Sequence, residues 1–157
     1  LGLLYCAFFP AFAIRILLGP HGIIWFYALL IIVFLGDTFA YFSGWLWGNK
    51  KLYPQLSPKK TFAGALGGAV GSVAFGSLYL KYFFPELFLG SIIIFCFLCA
   101  MAAQSGDLFI SLIKRVADVK DTGRLMPGHG GLLDRLDGIL MTAPLVYAFS
   151  VFSVYFN

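Results

Sequence analysis

The stretch IIWFYALLIIVFLGDTFAYFSGWLWG, Ile23–Gly48, decides the fold. A helix needs about 20 mostly apolar residues to cross hydrocarbon. Here an apolar run of that kind leads into a polar end that carries one acid, Asp37. Four more segments read the same way: Leu3–Leu18, Phe62–Tyr82, Leu87–Lys114 and Leu136–Phe156. Short breaks at Gly19–Gly22 and Phe83–Glu86 contain Pro20 and Pro85, which end helices. Two longer loops, Asn49–Thr61 and Arg115–Arg135, hold most of the charge.

Composition agrees. The 157 residues are 61% hydrophobic and 11% charged, with a mean hydropathy of +0.90. Soluble domains are about half apolar and about a quarter charged. The expectation is an all-α integral membrane protein, a polytopic bundle of about five transmembrane helices in a single membrane domain. The chain begins at Leu1 inside an apolar run, and residues 1–157 are read as the C-terminal portion of a longer chain. The net charge of +4 belongs to loop ends that set topology and meet headgroups, not to a nucleic-acid surface. Cys6, Cys96 and Cys99 lie in apolar segments and read as small apolar filler rather than a disulfide framework.

With five helices, the loop bearing Lys50, Lys51, Lys59 and Lys60 falls on the same side as the loop bearing Lys120 and Arg124. The excess of cations makes that side cytoplasmic. Asp37 lies 13 residues before Lys50 and Asp107 seven before Lys114, or about 20 Å and about 10 Å along a helix axis. Acids at such depth need a wet cavity or a cation. Asp37, Tyr41, Gly44 and Gly48 form one helical stripe, and Asp107, Ser111, Lys114 and Asp118 another. Two polar stripes predict a funnel open to the cytoplasm, not a pore. Gly64/Gly68, Gly67/Gly71 and Ser72/Gly76 are small-xxx-small pairs suited to close helix packing. A nucleotide-loop reading of those glycines lacks a preceding strand and the GxxxxGK[ST] pattern.

Two segments carry the chemistry. In SPKKTFAG, Ser57–Gly64, Pro58 sets the turn, Thr61 is placed to cap a helix, and the helix amides with Lys59 and Lys60 make an anion seat. A basic loop that only sets topology is the plainer alternative. The second segment, SLIKRVADVKDTGRLMPGHGGLLDRLD, Ser111–Asp137, packs five cations, four carboxylates, one His and four Gly into 27 residues. Cations suit phosphate, carboxylates a divalent metal, and glycines a close backbone approach.

This second segment closely resembles the signature of the phosphatidate cytidylyltransferase (CDP-diacylglycerol synthase) family, S-x-x-K-R-x4-K-D-x-G-x5-H-G-G-x-x-D-R-x-D. The matching residues are Ser111, Lys114, Arg115, Lys120, Asp121, Gly123, His129, Gly130, Gly131, Asp134, Arg135 and Asp137. DTFAYFSGWLWGNKK and SPKKTFAGALGG resemble the family too, so the likeness runs from about Asp37 to Asp137. Met126 departs from the family's usual branched aliphatic or Phe, and Ala63 from a frequent acid or amide.

The resemblance implies that CTP and phosphatidate react to CDP-diacylglycerol and pyrophosphate with Mg²⁺ in phospholipid biosynthesis, with a second cation as a further expectation. It implies Asp107 and Asp134 as metal ligands, with Asp137 one turn on as a further or alternate ligand. Lys59, Lys60, Lys114, Arg115 and Arg135 would hold phosphates. Asp121 joins the catalytic set. Asp37, Ser57, Thr61, Lys120, Gly130 and Gly131 would line the substrate site, and His129 would either donate to the leaving pyrophosphate or shape its turn. A bacterial inner-membrane location and a homodimer are further expectations. Competing readings are a CTP-dependent transferase acting on an isoprenoid lipid, an ion or lipid transporter, and an inactive lipid-binding homologue.

Overall fold

The helices form where the apolar runs predict them, with boundaries set by local breaks. A computed structural model describes residues 9–53, 57–119, 122, 131 and 133–155, with the side chains of residues 58, 59, 134, 135, 154 and 155 outside that description. Its elements are α1 (Phe9–Leu18), α2 (Gly22–Trp47), β1 (Lys51–Tyr53), β2 (Ser57–Thr61), α3 (Phe62–Phe83), α4 (Leu89–Val116) and α5 (Leu133–Tyr155). Among the described residues four helices, α2 to α5, are long and apolar enough to cross a membrane. The fifth segment appears as the ten residues of α1.

The core is a seam of side chains from all five helices, including Ile16, Leu29, Ile32, Leu80, Ile92, Cys96, Cys99 and Val146. Cys96 and Cys99 are free and buried, as filler should be. One end is closed by aromatic packing: Trp25 stacks on Phe84 at 4.9 Å and Phe95 on Phe149 at 4.1 Å between ring centroids. Large apolar side chains also cover the outside. Leu66 is 70% and Leu78 69% exposed, a surface that only lipid would make comfortable.

Close packing, not hydrophobicity, selects helix neighbours in lipid. The glycine face of α3 lies against α2, the most extensive helix pair in the molecule. A Cβ on Gly68 would stand 2.9 Å from the Gly36 carbonyl oxygen, so only glycine permits this approach. Ser72 Oγ donates to the Ile32 carbonyl at 2.7 Å and ties the same pair. Gly106 plays the matching part between α4 and α5, where a Cβ would stand 2.6 Å from the Asp137 carbonyl oxygen.

Three boundaries differ from the sequence reading. The loop over 49–61 contains an antiparallel hairpin, with Lys51 opposite Thr61 and Tyr53 opposite Ser57 across an irregular register. Strands this short, bearing prolines and lysines, leave no periodic signal, and β2 survives by running straight into α3. α4 ends at Val116, and Asp118 follows with φ 52°, so it leaves the stripe of Asp107, Ser111 and Lys114. α5 begins at Leu133 rather than Leu136, which puts Asp134 and Asp137 in its first turns. Acids are favoured there by the helix dipole.

Candidate active site

Three elements converge at the hairpin end of the bundle. The last turns of α2 meet the first turn of α3, where a Cβ on Gly64 would stand 2.9 Å from the Ala40 carbonyl oxygen. Gln104 of α4 donates from Nε2 to the Ala65 carbonyl at 2.9 Å and fastens α4 to α3. Between them lies a cavity of about 480 Å³, lined by Asp37, Tyr41, Gly44 and Trp45 of α2, by Leu52 and Lys60 of the hairpin, and by Thr61, Gly64, Gln104 and Asp107 among others. The sequence predicted a funnel between helices at this end, where α2 ends, α3 begins and α4 ends.

Each polar wall residue has a local reason to be where it is. Thr61 is the N-cap of α3: its backbone is extended, and its Oγ1 accepts from the Gly64 amide at 3.1 Å. The Phe62 amide is also taken, donating to the Lys50 carbonyl at 3.1 Å, so the anion seat expected at this helix start has few first-turn amides to offer. The hairpin turns half-buried Leu52 inward between exposed Lys51 and Tyr53. Lys60, one residue before the cap, reaches across to α4, and its Nζ lies 2.5 Å from Asp107 Oδ2. Asp37 is ten residues from the end of α2, about 15 Å along the axis, and its exposed surface faces the cavity.

A third acid belongs to this group. Asp137 of α5 is not a lining residue, yet its carboxylate is within the electrostatic reach of Asp107, Asp37 and Lys60. Asp37 in turn feels both Asp107 and Lys60. Three carboxylates from three helices therefore share this end with Lys60. Oxygen donors on separate rigid elements, with excess negative charge, suit a hard divalent cation. Mg²⁺ takes few protein oxygens and leaves positions for water and phosphate. No complete group of three metal-binding side chains at ligating distance occurs among the described residues, and the side chain of Asp134 lies outside them.

The other predicted residues are placed as follows. Ser57 pairs with Tyr53 at the far end of β2 and is not a cavity wall. Lys114 and Arg115 sit in the last turn of α4, two turns beyond Asp107, where cations meet the negative end of the helix dipole. Neither lines the cavity. Gly131 is buried just before α5. Lys120, Asp121, His129 and Gly130 lie outside the described residues, as do the side chains of Lys59, Asp134 and Arg135. Gln104 was not singled out from sequence. Its signal was there, three residues before Asp107 and so on the same helical face. Trp45 and Leu52 carried no such signal.

The model of the family described as "Cytidylyltransferase family" matches residues 1–153. The chain belongs to the cytidylyltransferase family. Its relatives in that family include the phosphatidate cytidylyltransferase of Brucella abortus biovar 1 (strain 9-941), 41% identical over 148 residues, which covers 93% of this chain and 54% of the relative. The Rickettsia felis protein of the same name is 41% identical over 126 residues, covering 76% and 56%. Phosphatidate cytidylyltransferase 4, chloroplastic, of Arabidopsis thaliana is 38% identical over 172 residues, covering 94% and 44%. The chain thus spans about half the length of the curated relatives it matches. The signature read in Ser111–Asp137 and its upstream companions pointed to this family.

Proposed function

We propose that the full-length protein transfers the cytidylyl group of CTP to phosphatidate at the inner face of a membrane, giving CDP-diacylglycerol and pyrophosphate. The observation that carries this reading is the meeting of Asp37, Lys60 and Asp107 at one cavity, beside the capped start of α3. Relatives named for that activity support it.

The chemistry asks little of a general base. A phosphate monoester has a second pKa of about 6, so the lipid phosphate is largely ionised near neutrality. One of its oxygens forms a bond to the α-phosphorus of CTP, while the bond from that phosphorus to the α–β bridging oxygen breaks and pyrophosphate leaves. The obstacle is repulsion between two polyanions, which cations offset while the site holds the partners in line. A divalent ion such as Mg²⁺, held by Asp107 with Asp134, Asp137 or Asp37, would supply Lewis-acid charge neutralisation. Lys60 and the α3 amides would seat a phosphate, with Lys59, Lys114, Arg115 and Arg135 as further cations. The basic end faces the cytoplasm in this reading, the membrane is a bacterial inner membrane, and the enzyme acts as a homodimer.

The test is to incubate purified full-length protein with CTP, Mg²⁺ and either phosphatidate or an isoprenyl phosphate, scoring cytidylylated lipid and pyrophosphate. Phosphatidate should be the substrate converted. Asp107→Asn should insert and purify normally yet lose roughly a thousandfold in turnover, since Lewis-acid stabilisation is worth several kcal/mol and each 1.36 kcal/mol is tenfold. Near-normal turnover in that variant would remove Asp107 from the chemistry. Conversion of the isoprenyl phosphate alone would replace the substrate.

A further inference from the structure

Lys60 pairs with Asp107, the carboxylate that the proposed function gives to a metal ion. Its Nζ is 2.5 Å from Asp107 Oδ2, and a divalent cation on the same carboxylate would lie within a few ångströms of that ammonium. Like charges so close repel strongly in a partly desolvated cavity. Asp107 is held on a regular helix, whereas Lys60 ends a flexible four-carbon stem on β2. The lysine is therefore the partner able to move.

We propose that Lys60 and a divalent cation exclude one another at Asp107, so that metal binding releases the lysine to the phosphate seat. This rests on the reading of Asp107 as a metal ligand. The released amine has somewhere to go. Lys60 directly precedes Thr61, the N-cap of α3, and the start of a helix favours negative charge such as a phosphate. The Asp37 and Asp137 carboxylates also attract it. Lys60 is then an exchangeable counter-ion that neutralises a carboxylate before the metal arrives and a phosphate afterwards. Binding of metal and binding of phosphate become coupled through one side chain, and by linkage each tightens the other.

The experiment uses full-length protein in nanodiscs and Mn²⁺ alone, without nucleotide. Mn²⁺ affinity is measured by electron paramagnetic resonance in the wild type and in Lys60→Gln, Lys51→Gln and Asp107→Asn. Lys51 is exposed on the hairpin and controls for the loss of a charge. In parallel, acylation of lysine amines in the wild type is mapped by mass spectrometry as Mn²⁺ is added. Lys60→Gln should bind Mn²⁺ about fivefold more tightly, the effect of removing one half-exposed competing ion pair. Lys51→Gln should bind as the wild type does. Labelling of Lys60 should rise with Mn²⁺ at the concentration that fills the site, while labelling of Lys51 stays level.

Lys60 labelling that stays flat or falls overturns the proposal, and because this arm uses the wild type no variant has to fold. Affinity unchanged in Lys60→Gln, or raised equally in Lys51→Gln, overturns it as well. Mn²⁺ binding lost in Asp107→Asn but indifferent to Lys60 removes the exchange and leaves the metal reading standing. Absence of Mn²⁺ binding in both wild type and Lys60→Gln removes both.

Discussion

Lys60 and Thr61 are neighbours with different duties. Thr61 stabilises: its hydroxyl accepts from the Gly64 amide, and a lost N-cap costs about 1 kcal/mol. Thr61→Ala should therefore lower the unfolding free energy in detergent by about 1 kcal/mol, and Thr61→Ser should recover most of it. An equal loss in both variants would mean that the cap bond carries no weight. Lys60 contributes little of this kind. Its ion pair with Asp107 is partly exposed, with side-chain accessibilities of 24% and 45%, and such pairs are worth about 0–1 kcal/mol. Removal of Lys60 should be read in ligand binding rather than in unfolding.

At the scale of elements, the α2–α3 pair sets the cavity. Its two ties differ in weight. Ser72→Ala removes one hydrogen bond to the Ile32 carbonyl, and interhelical bonds in membranes average about 0.6 kcal/mol. Gly68→Leu must part the helices, because even a Cβ there would stand 2.9 Å from the Gly36 carbonyl oxygen. Overpacking typically costs about 1–3 kcal/mol. Thermal unfolding should rank Gly68→Leu well below Ser72→Ala. The proposed transferase activity of the full-length protein should follow the same order, since Asp37 reaches the cavity from α2 and Lys60 from the strand that runs into α3. Equal effects would deny glycine packing its part in building the site.

For the whole molecule, the question is which end faces which compartment. Lys50, Lys51 and Lys60 lie at the cavity end with Lys114 and Arg115, whereas His21, Lys81 and Glu86 mark the other. In the proposed orientation the basic loops are retained in the cytoplasm and the cavity faces inward. In a background with the native cysteines replaced, Lys51→Cys should react with an impermeant maleimide only from the cytoplasmic side, and His21→Cys only from the opposite side. The reverse pattern would turn the cavity away from any cytoplasmic nucleotide.

Much of this was legible along the chain because its causes are local. Apolar length specifies a spanning helix whatever surrounds it, Pro20 and Pro85 break helices through their own rings, and the Ser111–Asp137 signature keeps its spacing in one dimension. Thr61 could be placed as a cap because a cap is made within four residues. The hairpin, the pairing of Lys60 with Asp107 and the entry of Gln104 into the cavity wall were not legible. The hairpin is local, but its strands are too short to leave a periodic signal, whereas the other two join residues from elements far apart in sequence. Sequence by itself determined a membrane bundle of a recognisable family with acids at functional depth. Which acid meets which cation was decided by tertiary packing, because the glycine face of α3 and Gly106 of α4 set how near the helices come, and charge interactions depend on distance and burial.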